Sequence, residues 1–381
     1  MSSLSADAYR AQFAEHEGYL DFARVGPPSQ ATVQASDTAQ RAVATAGLGT
    51  VDEVMVAEGR ALAAAARLLR VAPDNVVWTP STSSGLFQAA FAMRGDLPRT
   101  LVSPAEFPSN LYPWWRAAEA GLLRVGHLPA GPVTPDVVRS ALRDSDADAV
   151  AVSAVDFATG YRADLAGLRE AVGDRLLVVD AIQGLGAVEA DWAAADLLVA
   201  GGQKWLRSGW GTGVLAVSDR ALDRLHPLLA GWTAVEAPSH YDGAEHPLAA
   251  GAARFATTNG SPVAQAGFAA GLELLESVGP SWVAGCISAR VGELLDLLDA
   301  RGAVVTSARD PERRAGIVAF HLEGVDGAVL HAALGESGVT CTRHGQRVRL
   351  SVHATTTAAA LDRVADALDR LAAGRPPVSR P

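Results

Sequence analysis

The stretch 176-LLVVDAIQGLGAVEADWAAADLLVAGGQKWLRSGWGTGVLAV-217 decides how the rest of the chain is read. It contains three short aliphatic runs, 176–180, 196–200 and 213–217, bounded by Asp, Gly and Ser. Runs of this length without polar alternation read as strands buried on both faces, the usual state of parallel strands in a layered sheet. Open α/β sheets bind ligands beyond the carboxyl ends of their strands. Asp180 closes the first run and Gly201-Gly202-Gln203-Lys204 follows the second, so both charged side chains are expected at the ligand-bearing edge.

Working outward, similar runs occur at 76–79, 100–103 and 149–153, and an Ala-rich amphipathic helix is expected over 53–70. The texture changes after Pro262. Helical patterns at 263–278 and 282–300 lead to strand-like 316–322, 339–342 and 347–352, then to a final helix over 356–371. The expected fold is α/β: a large three-layer α/β/α domain with a mainly parallel sheet, plus a smaller C-terminal α+β domain. The boundaries are placed at 22–255 for the large domain, with 1–21 and 256–381 forming the small one.

The length of 381 residues agrees with two domains. A hydrophobic fraction of 49% and a charged fraction of 19% suit a globular protein with a large core. The formal net charge of -10 argues against a nucleic-acid or membrane-surface partner. Cys286 and Cys341 make no disulfide framework, and with 9 histidines they show no clustered metal-ligand spacing. Residues 1–18 carry no apolar run of the signal-peptide kind, and no apolar stretch is long enough to span a bilayer. A cytoplasmic enzyme is expected, with a polar tail at 374–381 that frays.

Taken alone, Lys204 reads as a surface lysine after a strand and Asp180 as a helix N-cap. Taken together they are the pair that pyridoxal 5′-phosphate (PLP) chemistry needs. The lysine forms an imine with the cofactor aldehyde and moves protons at the substrate Cα. The aspartate keeps the pyridine nitrogen protonated, so the ring can draw electrons from a carbanion.

Asp180, Gln183, Lys204-Trp205 and Gly211-Thr212-Gly213 occur in the order seen in the class V aminotransferase family, of PLP fold type I. The chain resembles that family, which includes cysteine desulfurases, selenocysteine lyases, kynureninase and isopenicillin N epimerase. The resemblance implies that Thr82 and Ser83, in a Ser/Thr-rich helix start, hold the cofactor phosphate, where plain helix capping is the alternative. It implies that Phe107 stacks on the cofactor ring, although desulfurases carry His there and Phe cannot exchange protons. Asp156 stands where relatives often have Asn, Gln or Ser near the phenolic oxygen, and Gln183 is the better partner for that oxygen. Gln203 replaces the family's His before the lysine.

Thr258 or Asn259 is expected to reach the partner subunit's phosphate in a homodimer, with capping of the next helix as the alternative. Arg349, in an Arg-x-Ser-x-His strand, matches the arginine that clamps the substrate α-carboxylate. Ala23 and Arg24 are expected to shape substrate choice, and His353 to pack rather than catalyse.

Cys341 lies in a strand-like run rather than on a mobile loop, which disfavours a persulfide-forming desulfurase. Gly184-Leu185-Gly186 lacks the third glycine of a dinucleotide fingerprint, and no Gly-x-Ser-x-Gly marks a hydrolase. The expected function is action at the Cα of a small-molecule amino acid through an external aldimine. Transamination is the family default, a β-eliminating C–S lyase and an amino-acid epimerase are alternatives, and a non-catalytic binding protein on the same fold is the alternative of another class.

Overall fold

The computed structural model describes residues 4–45, 47–96 and 98–374. Of the tail expected to fray, residues 375–381 lie outside the described residues, as do residues 1–3 of the N-terminal stretch. The central sheet is built from β1 (Val76–Trp78), β2 (Arg99–Val102), β3 (Arg124–His127), β4 (Ala149–Ser153), β5 (Leu176–Asp180), β6 (Leu197–Gly201) and β7 (Gly213–Val217). Its order is β1-β7-β6-β5-β4-β2-β3. The pairs β2–β3, β2–β4, β4–β5 and β5–β6 are parallel. Apolar layers cover both faces, and β5 and β6 are buried along their whole length.

The expectation of parallel strands fails at β7, which runs antiparallel to both β6 and β1. The physical reason is the connection. Residues 202–212 contain no helix, and without a crossover the chain must return beside β6 in the opposite sense. Lys204 therefore sits in a compact turn at the carboxyl end of β6. The edge strand β3 escaped the sequence reading because Arg124 and His127 are exposed and no apolar run marks it.

A second, antiparallel sheet contains β8 (Val304–Val305), β9 (Ile317–His321), β10 (Thr342–His344) and β11 (Arg347–Ser351), in the order β10-β11-β9-β8. The strand expected at 339–342 thus begins later, at Thr342. The N-terminal segment joins this sheet through bridges Tyr19–Thr340 and Asp21–Ser351. Helix Pro262–Val278 packs on helices Gln30–Ala44 and Thr50–Leu69 and ties the two parts together. The boundary at 255 remains a proposal drawn from the sequence. No described helix is long and apolar enough to cross a membrane.

The helix after β1 spans Thr82–Phe91 and is capped by the Ser81 side chain, which accepts from Ser84 N. Gly85 lets this helix lie directly on β6, since a Cβ there would meet Val199 Cγ1 at 2.4 Å. That close approach sets the helix N-terminus beside the lysine turn.

Candidate active site

Beyond the carboxyl ends of β5 and β6 lies a cavity of about 400 Å³. Ala23, Arg24, Thr82, Ser83, Phe107, Asp180, Gln183, Gln203, Lys204 and Arg349 all line it, brought together from across the chain. Asp180 is 3% exposed, and its Oδ1 accepts from Ile182 N at 3.0 Å. Burial pushes its carboxyl up to about 6, against the pull of the Ile182 N–H and the Lys204 charge. Burial also draws the Lys204 ammonium down to about 8, partly opposed by Asp180 and reinforced by Arg349. Lys204 Nζ stands 5.5 Å from the centroid of the Phe107 ring.

The lysine turn is pinned from several sides. Gly26 N donates to Gln203 O at 2.8 Å, and a Cβ on Gly26 would fall 1.9 Å from Lys204 O. Thr82 Oγ1 accepts from Gly201 N at 2.9 Å. The Gln183 carboxamide donates from Nε2 to Ala23 O (2.9 Å) and accepts at Oε1 from Trp205 Nε1 (2.8 Å), leaving one amide hydrogen for a ligand. Ser83 Oγ donates to Ser109 Oγ at 2.9 Å.

Arg349, on β11, is 5% exposed. Its Nη1 donates to Phe157 O at 2.8 Å, its Nη2 lies 3.6 Å from Asp21 Oδ1, and its buried Nε has no hydrogen-bond partner. His353 does not line the cavity; its ring stacks on Phe22 with centroids 5.1 Å apart.

Asp156 departs from its expected place at the cofactor. It lines a neighbouring pocket of about 260 Å³ that shares Phe157 with the first. The reason is local: its Oδ1 accepts from Ala158 N, Thr159 N and Thr159 Oγ1, which draws the carboxylate into the following turn. Thr258 and Asn259 are exposed and do not line this chain's own cavity; Thr258 Oγ1 accepts from Trp232 Nε1 at 3.3 Å.

The sequence reading missed Asp21, Phe157, Trp210, Thr342 and His344. Four of them line the cavity, and Asp21 stands behind Arg349 with both carboxylate oxygens 2.9 Å from Thr342 Oγ1. Only Asp21 carried a signal, as an acid inside the apolar stretch Tyr19-Leu20-Asp21-Phe22.

The donor set fits PLP. A buried acid that feels the charge of Lys204 suits a protonated ring nitrogen. A helix start with hydroxyls suits a phosphate. The apolar ring of Phe107, 41% exposed, suits a flat heterocycle, and the Arg349 guanidinium, which lines the cavity, suits a carboxylate. Among the described residues, no group of three or more His, Cys, Asp or Glu is placed to hold a metal ion.

Comparison with known proteins agrees. The family model for aminotransferase class-V matches residues 38–365. The isopenicillin N epimerase of Streptomyces clavuligerus is 28% identical over 80% of this chain and 82% of its own. A probable hercynylcysteine sulfoxide lyase of Mycobacterium tuberculosis (strain CDC 1551 / Oshkosh) is 30% identical over 95% of this chain and 92% of its own. The apo structure of a cysteine desulfurase from Thermococcus onnurineus NA1 shares the fold, with a TM-score of 0.87 at 20% identity, covering 98% of this chain and 100% of that one. With Lys204, Asp180, Thr82 and Ser83 gathered in one cavity, the chain belongs to the class V aminotransferase family of PLP-dependent enzymes.

Proposed function

We propose that the protein acts at the Cα of an amino acid and breaks a carbon–sulfur bond at Cβ by elimination. The observation that carries this reading is a set of aromatic walls in the cavity, together with a buried thiol unsuited to attack. Phe107, Phe157 and Trp210 line the space near Lys204. Cys341 is 8% exposed, and burial, helped by the charge of Asp21, pushes its thiol up to about 12. A sulfur substituent has aromatic rings to rest against, and among the described residues no cysteine lines the cavity to accept it. The sulfoxide lyase among the relatives supports the same reading.

When bound, PLP supplies the sink for the electron pair left at Cα. Asp180 would hold negative charge beside the ring nitrogen, and Thr82 and Ser83 with their helix amides would hold the phosphate. The Arg349 fork would orient the α-carboxylate, and Lys204 Nζ, whose ammonium burial draws down to about 8, takes the proton from Cα. In a homodimer, which belongs to this proposal together with a cytoplasmic location, the exposed Thr258 or Asn259 reaches the partner subunit's phosphate.

Transamination, the reaction expected from the sequence resemblance, is favoured by one observation. Arg24 lines the cavity with Arg349, and a second guanidinium suits the distal carboxylate of a dicarboxylic amino acid. The two readings are separated by incubating the holoenzyme with L-amino acids, cysteine conjugates included, without a keto acid. Repeated release of pyruvate and ammonia at constant cofactor absorbance is expected. Stoichiometric conversion to the pyridoxamine form, reversed by a keto acid, would establish the aminotransferase instead.

A further inference from the structure

Glu106 precedes Phe107 in the turn after β2, and its carboxylate grips the last residue of β4. Oε1 accepts from Ser153 N at 2.8 Å and Oε2 accepts from Ser153 Oγ. Ser153 is the register partner of Asp180, the last residue of β5, and Asp180 O accepts from Ala154 N at 2.8 Å. One strand therefore separates the acid expected at the ring nitrogen from a second acid behind it.

The other groups facing Glu106 are few. The Asn110 amide stands beside it, with its Oδ1 taken by Trp114 Nε1. Asp156 and Arg347 line the same side pocket as Glu106. Asp180 is close enough to act on its titration. Burial, reinforced by Asp180, raises the Glu106 carboxyl to about 7, against the pull of the Ser153 and Asn110 donors.

We propose that Glu106 is a positioning residue for the cofactor site: it pins the turn that carries Phe107, and its ionised form adds negative potential at Asp180, so that a ring nitrogen there holds its proton more tightly. The inference rests on the reading of Asp180 as the ring-nitrogen partner. The sign follows from the charges. Above neutrality Glu106 is anionic and favours the protonated ring; as pH falls it takes up a proton and that support is withdrawn.

Glu106→Gln separates the two roles, because its amide oxygen can still accept from Ser153 N while the charge is gone. The holoenzyme is loaded with PLP isotope-labelled at the ring nitrogen, and the nitrogen resonance is followed from neutral to alkaline pH in wild type, Glu106→Gln and Asp180→Asn. Glu106→Gln is expected to release the ring proton about one pH unit lower than wild type, and Asp180→Asn to lose it throughout. If Asp180→Asn shifts the resonance while Glu106→Gln titrates like wild type, the inference is overturned and the site reading stands. If neither variant differs from wild type, both fall. Should Glu106→Gln fail to take up the cofactor, Ser153→Ala removes the hydroxyl donor that favours the ionised acid. It must then move the titration in the same direction, and a wild-type titration there overturns the inference.

Discussion

Asp21 and Arg349 face each other across 3.6 Å behind the cavity, each almost fully buried, although they come from opposite ends of the chain. Asp21 and the Phe157 carbonyl hold two arms of the guanidinium, and Nε is left without a partner. Arg349→Lys keeps the charge and loses the fork. Since a charge-assisted hydrogen bond contributes about 1.5–3 kcal/mol, KM for the amino acid is expected to rise roughly ten- to hundredfold, with little change in kcat or cofactor absorbance. An unchanged KM in steady-state kinetics would remove Arg349 from the carboxylate site.

Lys204→Ala is expected to abolish turnover and borohydride-fixed labelling while the far-ultraviolet circular dichroism stays native. The low ammonium value has its own consequence. The apoprotein reacts with the aldehyde as a free amine, so reconstitution should speed up as pH rises through about 8, well below the 10.5 of an ordinary lysine. A rate still climbing steeply well above that point would contradict the buried setting.

Asp180→Asn removes the negative charge proposed to face the ring nitrogen. Loss of one electrostatic partner of this kind lowers kcat by roughly a hundred- to thousandfold. Near-native turnover would rule out the assignment.

A buried ion pair links the lysine turn to the N-terminal segment: Arg207 Nη2 donates to Glu15 Oε2 at 2.5 Å, and Nε donates to Pro27 O at 2.7 Å. Burial tends to raise the Glu15 carboxyl, but the Arg207 hydrogen bond and charge, with Thr355, outweigh it and hold it below 4.5. A depressed acid stabilises the fold above its unfolded value and loses that contribution as pH falls through the folded one. Glu15→Ala, which strands the Arg207 charge, is expected to cost about 3–5 kcal/mol in urea denaturation of the apoprotein at neutral pH. The gap to wild type should narrow on acidification; equal stabilities at neutral pH would sink this account.

Cys341 should resist alkylation in the native protein at mildly alkaline pH, because its thiol is buried and raised to about 12. Cys341→Ala is expected to retain turnover within severalfold. A persulfide on Cys341, detected by mass spectrometry during turnover, would reinstate sulfur transfer.

The sequence by itself placed the acid and the lysine. Aliphatic runs bounded by Asp180 and by Gly201-Gly202 report local burial, and local burial is enough to put Asp180 and Lys204 at strand ends. The order from Asp180 through Gln183 and Lys204-Trp205 to Gly211-Thr212-Gly213 carried the family resemblance, and with it Thr82, Phe107 and Arg349. The antiparallel course of β7 was not legible, because apolar periodicity is the same for either direction and only the helix-free connection decides it.

Tertiary structure alone decided the rest of the site. Asp21 meets Arg349, Phe157 borders both pockets, and Glu106 reaches Ser153 because strands far apart in sequence end side by side. Asp156 is the converse: a turn closed by its own neighbours, Ala158 and Thr159, took a carboxylate that its position in the chain had assigned to the cofactor. Pairings between distant side chains leave no trace in local composition. They follow from the packing of the sheet and the short-range hydrogen bonds that direct each side chain within it.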